Sequence, residues 1–101
     1  MAIFVAVNRF FDELGARFER AARRRGVSVA PPELDSAVAH ELLELARVAA
    51  HTQERRFAPL ASFMAGVAAE RVRAAGGPED ATAVAEMIRE VRLELEEEQQ
   101  A

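Results

Sequence analysis

Cysteine, tryptophan and tyrosine are absent from the 101 residues of the chain. The absence of cysteine excludes disulfide bonds, thiolate metal ligands and thiol nucleophiles, and it favours a cytoplasmic location. Long apolar runs are missing too, because the opening MAIFVAV is far shorter than the roughly 20 residues of a membrane-spanning helix and no basic segment precedes it. The sequence therefore predicts neither secretion nor insertion into a membrane.

Lysine is also absent, because all 13 basic residues are arginine. The formal net charge is -4, and binding to a nucleic-acid backbone needs clustered positive charge that acidic neighbours do not cancel. We therefore expect no nucleic-acid partner. A chain of this length fits a single helical domain, which we expect to span residues 1–101.

Apolar residues recur at spacings of three and four in four segments, and no alternating pattern competes with them. This periodicity predicts an all-α protein of four amphipathic helices, bundle-like, with a long first helix over about residues 3–25. Gly26 is expected to cap that helix at its C-terminal end. The second helix is expected to start near Asp35 or Ser36, after a linker that contains two prolines.

The third and fourth helices are each expected to begin at a proline, Pro59 and Pro78, since proline suits the first helical position. The third helix contains enough alanine for a neighbour to approach closely. We expect its larger apolar residues to point inward: Leu60, Phe63, Met64, Val67, Val72. These side chains would then supply part of the core.

The apolar stripe of the first helix is long enough to serve a second copy of the chain. We expect a homodimer that forms through residues of this stripe: Phe4, Val7, Phe11, Leu14, Phe18. The sequence leaves open the alternative that the stripe is buried in the core of its own chain.

No arrangement typical of an enzyme is visible in the sequence. The few hydroxyl side chains lie outside glycine-rich turns and have no evident general base beside them. His40 and His51 are eleven residues apart, which is about 16 Å along a helix and too far for one shared metal ion. His40 and Glu44 offer two ligands without a third. We therefore predict a protein without catalytic residues, metal ion or cofactor.

The segment RVAAHTQERRFAPL, residues 47–60, is the strongest candidate for a binding site. A helix that begins at Pro59 would direct the free backbone N–H groups of Leu60 and Ala61 towards the connection before it. A helix N-terminus beside arginines favours an anion, such as a phosphate or a carboxylate of a partner.

We expect an anion or a partner protein to bind residues of this corner: Arg47, His51, Arg55, Arg56, Leu60. The alternative is a structural turn. In that case His51 would cap the second helix, and an arginine would pair with Glu54 or Glu44.

The stretch LLELARVAAH, followed by ER, APLASFMAGVAAE and a final amphipathic helix, resembles a small all-helical bacterial domain of unknown function. That domain occurs alone or fused to the C-terminal side of the molybdenum cofactor guanylyltransferase, the enzyme that attaches a guanine nucleotide to molybdopterin. The similarity covers about residues 34–95 and includes His51, Arg55 and Pro59. The first helix matches only loosely and would be an extension.

The resemblance implies an accessory role in maturation of the molybdenum cofactor. The chain would bind the guanylyltransferase or a related protein, or a phosphorylated ligand. It has no nucleotidyltransferase motif, so the transferase activity itself is not implied. The alternative function is a helical oligomerisation or protein-interaction module that has no small-molecule ligand.

Overall fold

A computed structural model describes residues 2–100 of the chain, and the side chains of residues 9–98. This part of the chain forms four helices: α1, Ala2–Arg24; α2, Ser36–Thr52; α3, Phe57–Ala74; α4, Ala81–Gln100. No strand is present in residues 2–100, and the prediction of an all-α fold of four helices is confirmed. Within the same range, no helix combines the length and the hydropathy that crossing a bilayer requires.

The chain forms two compact units, residues 1–34 and residues 35–101. The first unit contains α1 and the linker that follows it. This linker returns along α1, because the carbonyl oxygen of Pro32 lies 2.5 Å from the position that a Cβ atom would take at Gly15. A larger residue at position 15 would collide with this backbone. The second unit contains α2, α3 and α4.

Gly26 and Gly76 end α1 and α3 with the same backbone reversal. Their φ angles are +79° and +87°, a region that disfavours residues with a Cβ atom. Each glycine N–H donates to the carbonyl three residues earlier, and the next N–H donates to the carbonyl five residues before it. Two backbone carbonyl groups at each helix end thereby accept a hydrogen bond. The prediction that Gly26 caps the first helix is confirmed.

α2 is the central helix of the second unit, because both α3 and α4 pack against it. Its buried residues are Leu45, Val48 and Ala49, and α4 contributes Ala85 and Ile88. Full burial of a larger aliphatic side chain contributes about 1.5–3 kcal/mol, and alanine contributes less. Since these side chains are small or of medium size, the core of this unit is modest.

Aspartate side chains cap the starts of α2 and α4. Asp35 accepts hydrogen bonds from two backbone N–H groups at 2.9 and 3.1 Å, at the helix start that the sequence indicates. Asp80 accepts a hydrogen bond from the N–H of Ala83 at 2.7 Å. The prediction that the fourth helix opens at Pro78 is wrong. α4 begins at Ala81, because the carboxylate of Asp80 supplies an acceptor for the first turn.

α3 packs on α2 through its small side chains. Ala61 and Ala65 are half-buried, and no residue of α3 is fully buried. Of the five larger residues expected to point inward, Val67 and Val72 are half-buried, whereas three are largely exposed: Leu60 60%, Phe63 72%, Met64 71%. The prediction that these three side chains point inward is wrong, because the alanine face allows a closer approach of the two helix backbones than the larger side chains would.

We expect Gly76→Ala to lower the free energy of unfolding by about 1 kcal/mol, because alanine disfavours a positive φ angle. Gly66→Ala is the matched control. Gly66 lies inside α3, and no neighbouring atom comes within 4 Å of an added Cβ, so we expect that variant to gain about 0.5–1 kcal/mol. Urea unfolding followed by circular dichroism measures both. Equal effects of the two substitutions would contradict the role of Gly76 at the helix end.

Candidate functional site

The corner that the sequence indicates as an anion site connects α2 to α3, and the expected helix start at Pro59 is wrong. α3 begins at Phe57 with Arg56 as its N-cap. The first two N–H groups of the helix donate to carbonyls of the preceding turn at 3.0 and 3.2 Å. Leu60 is then the fourth residue of the helix, and its N–H belongs to the helical hydrogen-bond ladder. Since proline has no N–H, positions 57–60 offer an anion no free backbone donor.

Two arginines of the corner contact carboxylates. Arg56 lies 2.7 Å from Glu54. Arg47 lies 3.1 Å from Glu44 and 3.3 Å from Glu96. The hydrogen bond from Arg47 holds the pKa of Glu44 below its usual value. These pairs offset part of the positive charge that would attract a free anion.

His51 and Arg55 are both exposed. His51 lies in the last turn of α2, where the helix dipole favours a positive charge. Arg55 forms no ion pair with any side chain of residues 9–98. Glu98 of α4 and Thr52 of α2 line the same cavity, which lies beside this turn. The corner is therefore a surface of mixed charge on which Arg55 remains available.

Exposed apolar side chains follow directly on these arginines. Phe57 is 40% exposed, Leu60 is 60% exposed and Phe63 is 72% exposed. Their spacing of three places them along one side of α3. We call these three residues the α3 apolar face. An apolar surface with an arginine beside it is typical of a protein interface rather than of a site for a free anion.

An open groove of about 280 Å³ runs between α3 and α4, with Leu45 of α2 at its floor. Its walls are aliphatic: Ala61, Met64, Ala65 and Ala68 on α3, and Met87, Ile88, Val91 and Leu95 on α4. Met64 and Val91 are 71% and 46% exposed, so the mouth of the groove is open to solvent. We call it the α3–α4 groove. The groove is not expected from the sequence, because the larger residues of the third helix are expected to fill the core.

Glu41 of α2 and Arg92 of α4 form an ion pair at 3.2 Å, and each side chain is only 13% exposed. Arg92 also lies 3.1 Å from Glu96. Arg92 donates hydrogen bonds to Glu96 and to Glu41. These bonds, the one to Glu96 most strongly, hold the pKa of Arg92 above its usual value. The Nε atom of Arg92 is buried without a hydrogen-bond partner in the described part of the chain. The ion pair holds α4 on α2.

The sequence contains a signal for this pair, which becomes visible only when two helices are compared. Glu41 lies between Val38 and Leu45 on the inner side of α2, and Arg92 follows the buried Ile88 by one turn of α4. Charged residues are seldom buried without a partner. Opposite charges at inward positions of two helices therefore indicate a pair across their interface.

The structure describes the side chains of only some of the residues that were expected to form an interface through the first helix. Phe4 and Val7 lie outside the described side chains. Phe11 and Leu14 are half-buried, and Phe18 is 57% exposed. The apolar stripe of α1 therefore remains in part open to solvent, and its self-association stays a prediction.

The two histidines of the described part lie on the surface of α2. His40 and His51 are both exposed. Among the described residues, no group of three or more His, Cys, Asp or Glu side chains could hold a metal ion. The absence of a catalytic role also stays a prediction.

A protein family described as Domain of unknown function (DUF6457) matches residues 5–101. The match includes most of α1. The resemblance to a small domain of unknown function is confirmed to that extent. No curated protein and no solved structure matches the chain.

We expect Arg92→Met to lower the free energy of unfolding by about 2 kcal/mol, because Glu41 would keep a largely enclosed charge without a partner. Arg89→Met is the matched control, since Arg89 lies exposed on the same helix and surface charges contribute less than about 1 kcal/mol. Urea unfolding compares the two variants. Adding Glu41→Leu to Arg92→Met should recover part of the loss. An equal loss in both arginine variants would contradict a structural role for the pair.

Proposed function

This chain belongs to the DUF6457 family of domains of unknown function, and we propose that it is a non-catalytic accessory domain in molybdenum cofactor maturation. It acts in the cytoplasm by binding a partner protein, the molybdenum cofactor guanylyltransferase or a related protein. The binding surface consists of the α3 apolar face together with Arg55 and Arg56.

The link to the cofactor is supported by the resemblance of residues 34–95 to a domain that also occurs fused to the guanylyltransferase. Fusion keeps such a domain at a high effective concentration beside the enzyme.

The observation that carries the proposal is the exposure of Leu60 and Phe63, at 60% and 72%. Covering a large apolar side chain completely contributes about 1.5–3 kcal/mol, so a partner that covers both gains affinity. Aromatic residues and arginine are enriched where proteins bind each other. Phe63 on α3 and Arg55 in the turn before α3 are exposed residues of these two types.

The arginines indicate which partner surface would fit. Arg55 is exposed, and the side chain of Arg56 is 86% exposed although it contacts Glu54. Arginines beside an apolar centre favour a partner with carboxylates at the rim of an apolar patch. A free phosphate would gain less here, because positions 57–60 offer no free backbone donor.

We expect titration calorimetry to show binding of the chain to the guanylyltransferase. Arg55→Ala removes a charged hydrogen bond that contributes about 1.5–3 kcal/mol, so it should raise Kd roughly tenfold to a hundredfold. Phe63→Ser should weaken binding by a similar factor, because it removes apolar contact area. Leu43→Ser is the control, since Leu43 is 71% exposed but lies on α2.

The same titration with inorganic phosphate and with guanosine monophosphate separates a protein partner from a phosphorylated ligand. We expect neither anion to bind. If the nucleotide binds and both Arg55→Ala and Arg56→Ala abolish this binding, the ligand of the surface is a phosphorylated molecule and not a protein. If neither the enzyme nor the anions bind, the proposal is wrong and the corner is a structural turn.

A further inference from the structure

Gly66 lies in the middle of α3, a position at which glycine makes a helix less stable than alanine does. The fold of the described residues does not require a glycine there. Gly66 is exposed, and no atom of these residues comes within 4 Å of an added Cβ. A glycine on an exposed helix surface allows another chain to approach the backbone closely. The position therefore points to a contact outside the single chain.

Gly66 lines an open depression of about 410 Å³ on the exposed side of α3. Four of the lining residues recur at helical spacings of three, four and seven from the first: Phe63, Gly66, Val67, Glu70. We call these four residues the Gly66 hole. In knobs-into-holes packing, four residues at this spacing receive one side chain of a facing helix. Because glycine has no side chain, the Gly66 hole can accept a large apolar group.

The charges around the Gly66 hole favour an acidic helix. Glu70 accepts two hydrogen bonds from Arg73, one of them at 2.9 Å, and these bonds hold the pKa of Glu70 below its usual value. Arg71 also lines the depression. It is exposed and forms no ion pair with any side chain of residues 9–98. Arg55, before the start of α3, is available in the same way. Carboxylates of a facing helix can therefore pair with an arginine near each end of α3.

α1 does not have the charge that this surface favours. Within Ala2–Arg24 the arginines outnumber the carboxylates: Arg9, Arg17, Arg20, Arg23, Arg24 against Asp12, Glu13, Glu19. A basic helix is disfavoured beside the exposed Arg55 and Arg71, whether it belongs to the same chain or to a second copy. The charges favour a helix of another protein.

We propose that the Gly66 hole receives a large apolar side chain from an acidic amphipathic helix of the partner protein. The inference rests on the function proposed above, because it specifies what the same surface of α3 recognises. The partner helix lies along α3, covers Leu60 and Phe63 with its apolar side, and pairs its carboxylates with Arg55 and Arg71. From Phe57 to Arg71, α3 extends about 21 Å, which corresponds to about four turns of the partner helix.

Titration calorimetry of Gly66 variants with the guanylyltransferase tests the hole. A methyl group in the hole hinders the apolar side chain of the partner, so Gly66→Ala should raise Kd roughly tenfold and Gly66→Leu at least about a hundredfold. Ala74→Leu is the matched control and should leave Kd unchanged, since Ala74 is exposed at the end of the same helix and does not line the hole. Urea unfolding should show that Gly66→Ala is more stable than the wild type. Its weaker binding would then not result from unfolding.

The outcomes separate this inference from the function on which it rests. If the enzyme does not bind the wild-type chain, both are wrong. If it binds the wild type and both Gly66 variants equally, only the inference is wrong. A loss of stability in Gly66→Ala would show that another segment of the same chain covers the hole. α4 is itself rich in glutamate, so sedimentation velocity measures self-association. A wild-type dimer that Gly66→Ala weakens would show that a second copy covers the hole, and either of these two results would also overturn the inference.

A charge reversal tests the acidic character of the partner helix. Arg71→Glu should raise Kd roughly tenfold, because it places a like charge opposite the carboxylates of the partner. Since salt screens exposed charges, added salt should weaken binding of the wild type more than binding of this variant. Arg89→Glu is the control, because Arg89 is an exposed arginine of α4, and its Kd should stay at the wild-type value. Equal effects of the two reversals would contradict an acidic helix beside Arg71.

Discussion

Small side chains on α3 allow α2 and α3 to pack closely, and the surfaces of residues 35–101 follow from this contact. Ala61 and Ala65 are half-buried, whereas Phe63 and Met64 are exposed. A helix that places its alanines in the interface must direct its larger side chains elsewhere. The α3 apolar face and one wall of the α3–α4 groove are therefore two results of the same packing.

α4 is held on α2 in a different way. Ala85 and Ile88 bury apolar surface, but the Glu41–Arg92 ion pair adds a geometric requirement, because its charges must meet with little water around them. A shift of α4 along α2 would separate the two groups and leave both largely enclosed. The ion pair therefore favours one position of α4 along α2.

The sequence predicts the helices well, because period and caps are local properties. The four helices, the cap at Gly26 and the start near Asp35 were all found from the order of the residues. The starts at Pro59 and Pro78 were wrong for a physical reason: a turn that includes Arg56 winds into α3 before the proline, and Asp80 caps α4 after it. The preference of proline for the first helical position is weaker than these hydrogen bonds.

The inner side of α3 could not be predicted, because apolar residues occur around the whole helix. Periodicity identifies an amphipathic helix, but it cannot choose between alanines and larger residues when both recur at helical spacing. The corner before α3 was selected for its residue types, and its charges were judged without Glu96 and Glu98, which are distant in sequence. The geometry expected for this corner assumed a helix that begins at Pro59, whereas α3 begins two residues earlier, at Phe57. Contacts between helices decide such features, and one sequence does not reveal them.

The Glu41–Arg92 ion pair also has a consequence for the order of folding. Its partners are separated by 51 positions, whereas α2 and α3 are neighbours in sequence. Contacts that close long loops tend to form later than local ones, so we expect α2 and α3 to pair first and α4 to dock afterwards. An interaction completed after the folding barrier has little effect on the folding rate, but it slows unfolding. We therefore expect the ion pair to prolong the lifetime of the folded unit more than it accelerates its formation.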